Sequence, residues 1–146
     1  MTNAMPVRLI LAAIALTACA SEARPQPSPA AKVAEVRISH SHLTAVCLNG
    51  TPVKDRAHDW RLAGSTSMVF TMRNDPRPGI ENQASGLAAI EFAPLAGHAY
   101  EIEVRGDASA FSRRVWPQGQ WKPVVRDRTI DQIISSEPRW IDRGCQ

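Results

Sequence analysis

From Val36 onward, apolar and polar positions repeat with a period of two, the pattern of strands that bury one face and wet the other. Val36 and Ile38 alternate with Arg37 and Ser39. Leu43 to Leu48 is apolar almost throughout, as a strand covered on both faces would be. Asn49-Gly50 follows, the pair best suited to a type I′ hairpin turn, and Thr51 to Val53 begins the return strand. Ser67 to Arg73 places Met68, Phe70 and Met72 on one face, and Asn74-Asp75-Pro76-Arg77-Pro78-Gly79 ends that ladder. Leu87 to Phe92 predicts a strand with Ile90 and Phe92 together, and Pro94 to Gly97 turns the chain. His98, Tyr100, Ile102 and Val104 then alternate with Ala99, Glu101, Glu103 and Arg105 until Gly106-Asp107.

The C-terminal third continues the pattern less regularly. Phe111 to Trp116 and Trp121 to Arg126 read as a hairpin around Pro117-Gln118-Gly119-Gln120. Thr129 with Gln132 fits a capping box, and Ile130, Ile133 and Ile134 have helical spacing, which predicts a short C-terminal helix. A last strand at Trp140-Ile141 would bring Cys145 back towards Cys47. About seven short strands with turn signals every 8–12 residues predict an all-β, antiparallel β-sandwich of Ig-like type.

The first 31 residues follow a different rule. Arg8 precedes the apolar core Leu9 to Leu16, which is shorter than the roughly 20 residues a membrane span needs. The core ends on Leu16-Thr17-Ala18-Cys19, a quartet that resembles the lipobox of bacterial lipoproteins. That resemblance implies cleavage after Ala18, a diacylglyceryl thioether on Cys19 and acylation of the new amino group, commonly with palmitate. Several acyl chains at about 0.8 kcal/mol per buried methylene hold firmly where one is marginal. Ala20 after the cysteine, rather than aspartate, implies the outer membrane, with the domain facing the periplasm or the cell surface. The alternative is an ordinary secretory signal that ends near a cysteine. Pro25, Pro27 and Pro29 among Ser, Ala and Gln then form an extended stalk. The chain thus divides into a signal at 1–18, a lipidated tether at 19–34 and one β-sandwich domain at 35–146.

A lipidated Cys19 leaves two cysteines, Cys47 and Cys145. An oxidising periplasm favours a disulfide between them; two unpaired thiols are the alternative. The mature chain keeps 16 basic residues against 14 acidic ones, a balance that argues against nucleic acid as a partner. One region departs from that balance. Phe111 to Arg128 holds Arg113, Arg114, Trp116, Trp121, Lys122, Arg126 and Arg128 against the single acid Asp127. Guanidinium forks with indoles suit an anionic glycan, a lipid headgroup or a protein interface. Equally, strand alternation could bury the tryptophans and leave the arginines as a wet outer face.

Leu48-Asn49-Gly50-x-x-Val53, Leu62-Ala63-Gly64 before Met68-Val69-Phe70, and Ala96-Gly97-His98-Ala99-Tyr100-Glu101 resemble the turn chemistry of transthyretin-like or PEGA-like sandwich modules in envelope lipoproteins. The resemblance spans Thr44 to Arg105 and implies a binding or scaffolding role. Catalytic motifs do not stand against it. Gly64-Ser65-Thr66-Ser67 lacks the second glycine of a nucleophile elbow, Glu101 and Glu103 form a solvated stripe, and no cofactor motif is present. His40 and His42 could share a metal on a strand but lack a third ligand at a telling spacing, so no metal is expected. The expectation is a non-catalytic lipoprotein that binds or scaffolds in an envelope or secretion assembly. Glycan or headgroup binding through the Arg/Trp hairpin is the alternative, and inhibition of a periplasmic hydrolase a third.

Overall fold

The structure, a computed structural model, describes residues 32–54, 57–74 and 85–145. The signal, the lipobox, nearly all of the tether and the prolines after Asn74 lie outside the described residues.

Within them the alternating segments become β1 (Ala34–Ile38), β2 (Leu43–Leu48), β3 (Thr51–Pro52), β4 (Asp59–Leu62), β5 (Thr66–Met72), β6 (Leu87–Phe92), β7 (Ala99–Gly106), α1 (Ala108–Arg113), β8 (Trp121–Asp127), β9 (Gln132–Ile133) and β10 (Arg139–Ile141). They build a β-sandwich of two five-stranded sheets, ordered β4-β1-β7-β8-β9 and β10-β6-β5-β2-β3. Ten strands replace the seven or so expected; β4 and β9, which had no expected counterpart, are too short to show a period of their own. One pair is parallel: β1 runs alongside β7 with Val36 opposite Tyr100 and Ile38 opposite Ile102. The purely antiparallel expectation is corrected there, since chain that crosses between sheets can return in the same direction.

The core follows the predicted faces. Val36, Ile38, Tyr100, Ile102, Trp121 and Val125 from one sheet meet Leu43, Met68, Phe70, Met72, Ile90 and Phe92 from the other. Burying each large side chain contributes roughly 1.5–3 kcal/mol. The outermost strands of both sheets are short, from two residues in β3 and β9 to four in β4.

Asn49 and Gly50 both have positive φ (48° and 75°), as the I′ turn requires, and Leu48 pairs with Thr51 across it. The apolar run before that turn has a more particular explanation. Ala45 lies opposite Phe70, Cys47 opposite Val69 and Leu48 opposite Met68, so Val46 is an inserted bulge residue. Ala45 and Leu48 stay with the inner core. Cys47 turns outward, against Val69 and Ala89 and beside Val46, Leu87 and Ile141. There it meets Cys145 in a disulfide with a Cα–Cα distance of 5.5 Å. A Cβ added to Gly144 would lie 3.3 Å from the Cys47 sulfur and 3.2 Å from Val46, so glycine lets the tail lie this close without displacing either neighbour.

Two local expectations are corrected. Phe111 to Trp116 is not a strand: Asp107 caps α1 by accepting the Ser109 N–H at 2.7 Å, and Arg114 ends it in the left-handed region at φ 54°. The partner of β8 is β7. The short C-terminal helix is absent as well. Thr129 donates its N–H to Asp127 and accepts from the Ala99 N–H, Asp131 takes φ 57°, and Gln132–Ile133 pairs with β8 as β9.

The disulfide closes a loop over a sequence separation of 98. Cys47→Ser, Cys145→Ser and the double variant should each lose the same stability, up to about 4.7 kcal/mol by chain entropy. Thermal unfolding with and without reductant checks this; a double variant much worse than either single one would show that the cysteines act separately.

Candidate functional site

The six Arg, Lys and Trp residues proposed as a binding hairpin are not brought together. Trp116 and Trp121 are 1% and 2% exposed and belong to the inner core. The Trp121 indole N–H donates to the Ser85 carbonyl at 2.9 Å. Neither ring presents a face for stacking. Arg113 folds back on its own helix, donating to the Ser109 carbonyl and hydroxyl at 3.2 Å. Arg114 forms the helix cap. Lys122 reaches both Glu137 oxygens at 2.9 and 3.1 Å. Arg126 bonds Glu103, closer than any other pair on this face at 2.6 Å, and Asp131 at 3.2 Å; the Glu103 carboxylate holds its guanidinium above the ordinary value. Arg128 lies 3.4 Å from Glu101. Apart from Arg105, the charges facing outward on β7 and β8 are thus paired, with Glu101 and Glu103 among the acids of that lattice.

Trp116 instead centres an aromatic group at the β1–β2 turn. His40 and Phe111 meet it edge to face, with centroids 5.3 and 4.7 Å away, and His42 lies at 6.1 Å. His40 and His42 do not share a strand, because the chain turns there and the His42 N–H donates to His40 Nδ1 at 3.3 Å. Burial, and then the neighbouring His42, hold His40 below its ordinary value and favour the neutral ring. No group of three or more metal-ligating side chains occurs among the described residues. Among buried side-chain polar atoms there, the Trp116 indole nitrogen alone lacks a hydrogen-bond partner.

A second arrangement escaped the sequence reading. Asp127 points inward at the end of β8, buried. One of its oxygens accepts the Thr129 N–H at 2.9 Å, and the other meets His98 Nδ1 at 2.7 Å. His98 stacks on Tyr100, and the Tyr100 hydroxyl accepts the Leu95 N–H at 2.8 Å. Ala99 closes the corner, donating to the Thr129 hydroxyl at 3.1 Å and accepting the Arg128 N–H at 2.8 Å. A buried carboxyl group is costly unless it is hydrogen-bonded, and here each oxygen has a partner, the Thr129 N–H on one and the His98 ring on the other. A His–Asp pair also forms the base and its orienter in nucleophilic catalysis. Among the described residues, however, no hydroxyl or thiol hydrogen-bonds to His98.

This corner fixes what surrounds it. The loop carrying Leu95 is tied to the turn carrying Ile130, next to the edge strand carrying Ile133. These three apolar side chains are 58%, 43% and 39% exposed. The sequence signal for it was Asp127 itself, the lone acid in a basic stretch at an inward strand position, where only a buried partner could explain a carboxylate.

Fold and corner together define a disulfide-closed β-sandwich with a buried His98–Asp127–Thr129 hydrogen-bonded corner. No family model, no curated protein and no solved structure matches the chain. Among the described residues no helix is long and apolar enough to cross a membrane.

Tyr100 is the chain's one tyrosine, which makes its ionisation directly readable. Burial first, and Asp127 in addition, raise its hydroxyl above the model-peptide value of 10.0. Phenolate absorbance should therefore appear above that pH in the native protein and return to it in urea. Between the two values the unfolded state holds fewer protons, so stability falls as pH rises through that window. A native titration at the ordinary value would contradict the buried corner.

Proposed function

We propose that this chain is a lipid-anchored protein of the bacterial outer membrane whose β-sandwich acts by binding, docking onto a partner protein in an envelope or secretion assembly. The anchoring half rests on Leu16-Thr17-Ala18-Cys19 and the proline stalk after it. The Cys47–Cys145 disulfide supports export to an oxidising compartment. The binding half is carried by one observation: Leu95, Ile130 and Ile133 stay exposed on segments that flank the Asp127 corner, while the outward charges of β7 and β8, Arg105 apart, are internally paired. A rigid apolar patch loses little entropy on docking, which suits an interface. The transthyretin-like and PEGA-like resemblance agrees with a scaffold rather than an enzyme. Glycan binding through the Arg/Trp hairpin loses its support, because the indoles are in the core.

Cys19→Ser should abolish incorporation of a clickable palmitate and move the protein from the membrane to the soluble envelope fraction. Leu95→Asp and Ile130→Asp should leave acylation and melting temperature unchanged but reduce co-purification of one defined protein at least tenfold. Acylation of Cys19→Ser, or equal capture by the aspartate variants, would contradict the two halves separately.

A further inference from the structure

The docking corner leaves a second concave surface unused. Strand β9 pairs only with Arg126 and Asp127, so the first half of β8 is itself an edge of its sheet. Strand β10 is an edge of the other sheet. Where these edges part, a groove of about 420 Å³ opens, lined by Arg105, Asp107, Gln120, Lys122, Glu137 and Trp140 among others. Its size falls within the usual range for small-ligand sites, roughly 300–1,000 Å³.

The lining has a specific chemical character. Trp140 is partly buried, and the core ring of Trp121 meets it edge to face at 5.2 Å, which fixes the indole at the groove. Lys122 and Glu137 neutralise one another on one wall. Arg105 is exposed and forms no ion pair among the described residues. Asp107 is held below the ordinary carboxylate value by its hydrogen bond from Ser109, so it is an ionised acceptor. Gln120 adds an amide, and at Gly119, also in the lining, nothing lies within 4 Å of where a Cβ would stand. Two cations against two carboxylates give no excess charge for a bare phosphate. The mixture of donors and acceptors is equally wrong for a purely apolar ligand.

We infer that this groove binds a short glycan containing a sugar acid. The C–H face of a pyranose packs on the electron-rich indole of Trp140. Its hydroxyls donate to Asp107 and accept from Gln120. The sugar carboxylate takes the free guanidinium fork of Arg105, which matches it with two parallel bonds. That such a glycan comes from the cell envelope rests on the envelope reading above; the groove itself does not.

The test is titration of the full lipidated chain in detergent, followed by the indole N–H signals of the tryptophans. The probes are a muramic-acid disaccharide, the sugar acid ketodeoxyoctonate and neutral chitobiose. At least one acid probe should saturate in the millimolar range or below, shift the Trp140 signal and bind at least tenfold better than chitobiose. Muramic-acid binding would identify peptidoglycan as the source, and ketodeoxyoctonate binding lipopolysaccharide. Arg105→Gln should erase the advantage of acid over neutral sugar, and Gln120→Ala should weaken both; each replaces an exposed side chain, so folding is kept. No saturable shift with either acid, equal binding of chitobiose, or an unaltered preference in Arg105→Gln would each overturn the inference. Acylation of Cys19 is read independently, so failure of the groove leaves the anchor standing.

Discussion

The buried carboxyl group of Asp127 is the constraint on which one end of the sandwich depends. A polar group out of water demands partners, and the fold supplies them from two segments: His98 at the entry to β7, with Tyr100 opposite Asp127 in the sheet, and Thr129 in the turn after β8. Meeting that demand fixes the entry to β7, the exit from β8 and the turn to β9 in one arrangement. Leu95 and Ile130 are exposed on the chain leading into β7 and in the turn after β8, and Ile133 is exposed on β9 beyond that turn.

The rest of the sandwich is held by a different device. Apolar alternation builds the core, but it does not tie the C-terminal tail to the outer face of the second sheet. The bulge at Val46 does so by turning Cys47 outward, and Gly144 lets the tail approach until Cys145 can bond it. A strictly regular β2 would have aimed Cys47 into the core, away from its partner. The two devices separate the labour: covalent closure secures the fold, and the polar corner shapes a surface.

Much of this was legible in the chain. The period-two segments around Met68, Ile90 and Tyr100 became core strands, Asn49-Gly50 turned as its conformational preference requires, and Cys47 paired with Cys145. What was not legible depended on distant partners. Phe111 to Trp116 has strand-like residues, yet an Asp107 cap and the seat for Trp116 against His40 and Phe111 favour a helix there. Ile130 and Ile133 have helical spacing, but Thr129 is committed to Asp127 and Ala99. Arg126 and Lys122 looked like a free basic patch because Glu103, Asp131 and Glu137 are remote in sequence and adjacent only across the sheet. Composition showed the excess charge and not its neutralisation.

The central claim is that the Asp127 corner is the face presented to a partner. Site-specific photo-crosslinking in intact cells tests it most directly, with the reactive residue placed in turn at Leu95 and Ile130 in the corner and at Ser41 and Ser112, which are exposed beyond the other ends of β1 and β7. The account predicts one discrete adduct from both corner positions and none from Ser41 or Ser112. Equal adducts from all four positions, or an adduct only from the opposite end, would contradict it.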